Sequence, residues 1–243
     1  MIPAFEKGST IRFEPWYNYL GRKFASDLPE YFDDTNWKWV KEGEEHFSVF
    51  KKEIDAVLKK SGILEPYFHR SLVSGGKWEI VNFFFWNKKH GKNCAECPAL
   101  TRWLESIPGM VTAGISYLSP HTEIKPHVGD TNMIARCHMG LYIPAGLPEC
   151  GIKVNDKDRE WKEGKFLLFC DAYMHSAWNR TDKNRYVLII DVVLPRFIGE
   201  KENISKNVRA NMKMLEAMEK HPWRRKLPRF ISNIIRNRYK RMV

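Results

Sequence analysis

The sequence has no apolar run long enough to cross a bilayer, which takes about 20 residues in succession. The longest, Tyr186 to Leu194, is interrupted by Asp191 and reads as a strand. The opening residues, MIPAFEKGSTIRFEP, lack the apolar stretch of a secretory signal, so a cytoplasmic location is expected. Cysteine is scarce and odd in number. Cys94, Cys97, Cys137, Cys150 and Cys170 follow no regular spacing, which excludes a disulfide framework and fits a reducing compartment. Cys94-Ala-Glu-Cys97 has the spacing of half a structural zinc site, but four ligands are needed and the sequence has no second such pair. Internal repeats and low-complexity linkers are missing too. So is the alternation of strand and helix that builds a parallel nucleotide-binding sheet.

A basic core is also lacking, although the formal net charge is +11. Residues 200–243 hold 13 Lys/Arg against 4 Asp/Glu, so this tail carries +9 and residues 1–199 only +2. A nucleic-acid-binding body would carry its own basic face, and none is expected here. What the chain does have is apolar mass. A 43% hydrophobic share with 13% aromatics over 243 residues fills one sizeable core and excludes wholesale disorder.

Residues 1–70 read as a helical and irregular extension, with Phe47, Phe50, Ile54, Val57 and Leu58 at helical spacing within Glu42–Leu58. From Lys77 the pattern changes to short segments rich in β-branched and aromatic residues: Lys77–Trp86, Met110–Leu118, Ala135–Ile143, Gly151–Val154, Lys165–Cys170, Ser176–Asn179 and Tyr186–Leu194. A helix is expected over Ala99–Ile107. The fold class expected for residues 71–198 is mainly β with flanking helices, as a jelly roll. A basic helical tail follows over 199–243, with helices over Asn203–Lys220 and Pro228–Met242.

The chemistry-bearing residues lie between Ser116 and Arg185. Pro126-His127-Val-Gly129-Asp130 and Asp171-Ala-Tyr-Met-His175 put two histidines on separate segments of the barrel, and Arg185 opens an apolar strand. Imidazole is a good ligand for Fe(II). An arginine buried at the start of such a strand needs an anionic partner, which its planar fork can grip in bidentate fashion. By spacing alone this constellation is only moderately specific. His121 falls in a turn and reads as a polar loop residue, and Asp171 as a residue fixing the turn before His175.

Over about Asn93 to Pro195 the sequence resembles the aspartyl/asparaginyl β-hydroxylase family. The resemblance runs in order through Cys97-Pro98, Ser106-Ile-Pro-Gly109, Leu118-Ser-Pro120, Pro126-His127, Gly129, Thr131-Asn132, Arg136, His138-Met-Gly-Leu141, Trp161-Lys-Glu-Gly-Lys165, Asp171, His175, Trp178 and Arg185. It implies a double-stranded β-helix of cupin type, with Fe(II) as the metal, 2-oxoglutarate as cosubstrate and O₂ as oxidant. His127 and His175 match the iron-binding histidines. Arg185 and Ser116 match positions holding the distal carboxylate of 2-oxoglutarate, and Arg136 and His138 match positions near its iron-proximal end. Related oxygenases commonly add a carboxylate two residues after the first histidine; here that residue is Gly129. Either water or Asp130 is left to complete the iron shell, and the same gap is how iron halogenases admit halide.

The activity implied is hydroxylation of an unactivated carbon, foremost the β-carbon of an aspartyl or asparaginyl substrate, whether a small molecule, a peptide or carrier-bound. Hydroxylation of a lipid acyl chain of the lipid A type, halogenation, and a non-catalytic barrel binding a dicarboxylate or metal are the alternatives. A cavity lined by arginines would favour an acidic substrate side chain, and a long apolar groove an acyl chain. Within 222–243, Trp223, Phe230, Ile231, Ile234 and Ile235 alternate with basic residues. This pattern fits either a solvated helix face or peripheral contact with an anionic membrane.

Overall fold

The computed structural model describes residues 14–243, apart from 22, 25, 27 and 34–36. The short apolar runs form two antiparallel sheets. The larger is built on β3 (Trp78–Phe85), β5 (Met110–Leu118), β7 (Ile134–Tyr142), β10 (Phe166–Phe169) and β12 (Arg185–Val193), edged by the short β1 (Glu65–Pro66) and β4 (Lys88–Lys89). The smaller holds β2 (Val73–Gly75), β6 (Thr122–His127), β8 (Cys150–Val154), β9 (Lys157–Arg159) and β11 (His175–Asn179). Strand order is β1-β3-β5-β12-β7-β10 in the first, with β4 on β3, and β2-β6-β11-β8-β9 in the second. This is the expected mainly-β, cupin-like barrel with flanking helices.

The central strands explain the sheet's position. Val187, Leu188, Ile190, Val192 and Val193 of β12 are all buried, so this strand is covered on both faces. One face of the larger sheet packs on helices, where Ile190, Ala113 and Met139 join Phe50, Ile54 and Leu104 in one core. The other face meets the smaller sheet through Trp78, Leu118, Val187, Ile152, Val154 and Phe169. The candidate site residues sit between the two sheets.

The helices supply the outer cover. The segment expected as one helix over Glu42–Leu58 divides at His46 into α1 (Lys38–Glu45) and α2 (Phe47–Leu58). The His46 ring nitrogen Nδ1 lies 2.8 Å from the Glu42 carbonyl at the break. Gly43 presses on Trp103, and a Cβ there would overlap the indole. α3 (Gly91–Glu96) contains Cys94, and α4 (Pro98–Ser106) begins on Pro98. Glu53 of α2 accepts the free N–H groups of Ala99 and Leu100 at 2.9 and 3.0 Å, which ties the two helices together at an end that a helix leaves unsatisfied.

After the barrel, α5 (Lys201–Lys220) covers the core with Ile204, Val208 and Met212 and ends before Pro222. α6 (Arg229–Met242) lies on α5 and buries none of its side chains fully. No helix among the described residues is long and apolar enough to cross a membrane.

Candidate metal and cosubstrate site

His127 closes β6 and His175 opens β11, and the two are direct partners in the antiparallel register. Between this pair and the next, Lys125 and Pro126 stand opposite Ser176 alone, so β6 carries a bulge. Pro126 falls in the bulge, where its missing N–H costs no ladder bond and the strand can turn its last side chain. The two imidazole rings end with centroids 4.2 Å apart. Nδ1 of His127 lies 2.9 Å from the Lys125 carbonyl, and Nδ1 of His175 lies 2.9 Å from the Tyr173 carbonyl. A carbonyl can only accept, so Nδ1 carries the proton in both rings and Nε2 keeps its lone pair. Burial holds His127 at about 4, with the nearby Arg136 charge adding to the effect. Burial and then the neighbouring His127 hold His175 well below the ordinary histidine range. Both imidazoles are therefore neutral at physiological pH.

Deeper between the sheets lies a second group. Arg185 is 2% exposed and no carboxylate contacts it among the described residues. It donates one bond of 3.3 Å to the Ser116 carbonyl, stacks 4.8 Å from the Trp161 ring centre, and leaves Nε without a partner. Burial pulls the guanidinium down to about 10, so it remains charged at neutral pH. The Ser116 hydroxyl accepts from the Trp78 indole at 3.0 Å. His138 takes a 3.3 Å bond from the Trp161 indole on Nδ1, and its buried Nε2 has no partner. A charged guanidinium and an imidazole nitrogen, both buried and unsatisfied, are costly unless a ligand completes them.

Arg136 differs from Arg185 in being fully paired. It faces Asp191 across the β7–β12 register and grips it with Nε and Nη2 at 2.8 and 2.9 Å. Its Nη1 lies 2.9 Å from Oδ2 of Asp171. The expected role of Asp171 as a turn residue is only half of what it does. Its carbonyl accepts the Gly129 N–H at 2.7 Å, while its fully buried carboxylate fills the space a side chain on residue 129 would need. Burial pushes that carboxyl up to about 7 against the pull of Arg136. Asp130 accepts a 3.4 Å bond from Asn18, and burial raises it to about 6. No three His, Cys, Asp or Glu side chains converge on one point among the described residues. Neither aspartate joins the two facing histidines in such a group.

A cleft of about 400 Å³ opens beside the pair, lined by His127, Gly129, Asp130 and Arg136 and walled by Phe68, Leu72, Val128, Met174, Met212 and Leu215. An adjoining cavity of about 90 Å³ shares Tyr67, Phe68 and Arg136 and continues past Ser116 to Phe85, Trp86 and Met212. Tyr67 stacks on Trp78 at 3.7 Å between centroids and screens this interior from solvent. His121, with φ of +52°, is exposed in its turn and bonds Asp182 at 2.8 Å. Cys94 and Cys97 are buried, with no metal-binding group around them among the described residues.

The site thus sets two inward, facing histidines and a buried arginine without a carboxylate partner between the sheets of a cupin-like barrel. A match to the aspartyl/asparaginyl β-hydroxylase family covers residues 44–195, and the chain belongs to that family. It is 32% identical over 187 residues to the ornithine lipid ester-linked acyl 2-hydroxylase of Rhizobium tropici, covering 74% of this chain and 66% of that protein. To the human aspartyl/asparaginyl β-hydroxylase it is 30% identical over 168 residues, 67% of this chain and 22% of that protein. To the mouse aspartate β-hydroxylase domain-containing protein 2 it is 35% identical over 204 residues, 78% and 59% respectively. The chain thus spans less than two-thirds of each of these relatives. Among solved structures it is similar to a Pseudomonas putida prolyl-4-hydroxylase, with a TM-score of 0.43 and 13% identity over 61% of this chain and 89% of the other.

Proposed function

We propose that this chain is an Fe(II)/2-oxoglutarate-dependent hydroxylase acting on an unactivated carbon of an acyl chain. The observation that carries the cosubstrate is Arg185, a charged guanidinium buried without an anion a short way behind two facing, neutral histidines. The donor set fits the group. Two Nε2 lone pairs would hold iron and leave positions open. Arg185 and Ser116 would take the distal carboxylate of 2-oxoglutarate, and His138 Nε2 would meet its other end. When bound, iron, 2-oxoglutarate and O₂ supply hydroxylation of a C–H bond coupled to decarboxylation of the cosubstrate.

The chain's own residues do the rest. The Lys125 and Tyr173 carbonyls fix the tautomer and tilt of the two ligands. Arg136, braced by Asp171 and Asp191 at the cleft floor, is not a free cation. The Tyr67–Trp78 stack keeps bulk water from the interior.

The substrate class follows from the same charges. Among the described residues, Arg136 is the only arginine or lysine lining the cleft and the adjoining cavity, and it is paired with two carboxylates. An acidic substrate side chain would find no free cation there. The cleft itself is mixed, with Asn18, His69 and Ser71 beside its apolar residues. The adjoining cavity, lined by Ile80, Phe85, Ile115 and Met212, suits a hydrocarbon chain, and the Rhizobium relative is named for acyl 2-hydroxylation. The second reading, an aspartyl or asparaginyl β-carbon, draws on the family description and on the names of the human and mouse relatives. The test is succinate release from 2-oxoglutarate with iron and O₂, comparing a detergent-dispersed acylated lipid with an aspartate-containing peptide. Turnover with the lipid alone supports the acyl reading, and turnover with the peptide alone overturns it.

A further inference from the structure

Eight large hydrophobic side chains stand exposed among the described residues, and four of them, Trp223, Phe230, Ile234 and Met242, fall in the last 21 residues. The structure puts three of these on one face of α6. Arg236 packs 4.1 Å from the Tyr19 ring, Arg229 donates to the Leu20 carbonyl, and Lys240 donates to Asn203 at 2.7 Å. Ile231, Ile235 and Tyr239 are partly covered with them. The opposite stripe, Phe230, Asn233, Ile234, Asn237, Arg238, Arg241 and Met242, faces outward, with Phe230, Ile234 and Met242 64–66% exposed. Such a stripe would not persist as a merely solvated face without cost, because it displays large apolar groups where polar ones would serve.

The charge of this segment names the occupant. Residues 221–243 contain eight Lys/Arg and no Asp/Glu. Arg225, Lys226, Arg238 and Arg241 are exposed beside the apolar stripe. Apolar side chains flanked by cations, on a helix that does not span, form an interfacial helix for an anionic bilayer. Trp223, 61% exposed in the turn between α5 and α6, adds an aromatic group suited to the headgroup boundary. The surface also adjoins the site. Leu215 of α5 lines the cleft, Glu219 acts on His69 at the cleft rim, and Trp223 follows four residues later. Met174, 50% exposed, stands on the same rim.

We infer that Trp223 and the outward face of α6 dock this protein on the surface of an anionic membrane, at the side of the cleft walled by α5. The inference is independent of the substrate reading, because docking requires neither iron nor 2-oxoglutarate. It is tested by flotation of the full chain with vesicles of phosphatidylcholine alone and of phosphatidylcholine mixed equally with phosphatidylglycerol. Binding to the mixed vesicles only, weakened by added salt, is expected. Two variants separate the contributions: Trp223→Ala/Phe230→Ser/Ile234→Ser, and Arg225→Gln/Lys226→Gln/Arg238→Gln/Arg241→Gln. Each should lower the partition coefficient by roughly tenfold or more while leaving the thermal midpoint unchanged, since the altered side chains are exposed. No flotation with mixed vesicles at low salt overturns the inference, as does binding to both vesicle types that neither variant alters. A dimer abolished by the apolar variant, or RNA binding abolished by the charge variant, without flotation, would assign the face to a second copy or to nucleic acid and overturn it equally.

Discussion

The carboxylate of Asp171 stands where a side chain on residue 129 would have to go, and Gly129 is what admits it. Two links of the site meet here. The Gly129 N–H bonds the Asp171 carbonyl at 2.7 Å, and the Asp171 carboxylate in turn braces Arg136 at 2.9 Å. The residue that stands in place of the usual carboxylate after His127 is therefore the one that lets a different carboxylate approach from the turn between β10 and β11.

This relationship predicts a coupled pair. Gly129→Ala should destabilise the fold by about 1–3 kcal/mol, the usual range for overpacking. In an Asp171→Ala background the same change should cost roughly 1 kcal/mol less or better, because the overlap is gone. Urea unfolding of the four proteins of this cycle checks it. Strict additivity would show that the two residues do not share the space.

Arg185 should dominate cosubstrate affinity. Replacing it with Gln removes charge-assisted bonds worth about 1.5–3 kcal/mol, so 2-oxoglutarate binding should weaken roughly 10- to 100-fold. Arg185→Lys should recover only part, since it restores charge without the planar fork. Calorimetric titration with a manganese-loaded enzyme measures both. Unchanged affinity in Arg185→Gln would move the carboxylate site elsewhere.

The buried charges give the metal-free protein a defined pH response. Asp171 is raised by burial to about 7 from an unfolded value of 3.8. The folded state therefore holds a proton that the unfolded state has released. Its contribution is full below about 4 and is lost as pH rises through 7. His127 works in the opposite direction. It is lowered to about 4, so its contribution is full above about 6.5 and is lost as pH falls toward 4. Asp171→Asn should strip away the falling part alone. The stability difference between wild type and Asp171→Asn should shrink from pH 4 to pH 7 and level off above it. A difference that grows with pH would contradict the upward shift that burial gives the Asp171 carboxyl.

Much of this was legible in the sequence, for identifiable reasons. β5 falls on Met110–Leu118 as expected, and α5 and α6 begin within two residues of the expected starts, because buried faces and helix stops leave strong patterns. β6 escaped notice although it carries His127. Thr122-Glu-Ile-Lys alternates buried and exposed as a strand should, but Pro126 disguised it, and only the pairing shows that the proline sits in a bulge. The single helix expected over Glu42–Leu58 breaks at His46, where the backbone leaves helical dihedrals, a local turn that hydrophobic periodicity does not record.

At the site, the family resemblance points to His127, His175, Arg185, Ser116, Arg136 and His138, and the structure places these residues between the two sheets. The pairing of Arg136 with Asp191 is a cross-strand contact over 55 positions, invisible to spacing. The carboxylate of Asp171 was assigned only to a turn, because nothing in a linear pattern says that Gly129 is small for the sake of a residue 42 positions later. The missing side chain at 129 was the available signal.

The central claim is that His127 and His175 hold iron while Arg185 anchors 2-oxoglutarate beside it. It is tested most directly by anaerobic titration of the full chain with Fe(II) and 2-oxoglutarate, followed by visible absorption. The account predicts a weak charge-transfer band that saturates at one equivalent of each, is lost in His127→Ala and in His175→Ala, and needs more cosubstrate in Arg185→Gln. No band in the wild-type protein, or a band of full strength in both histidine variants, would contradict it.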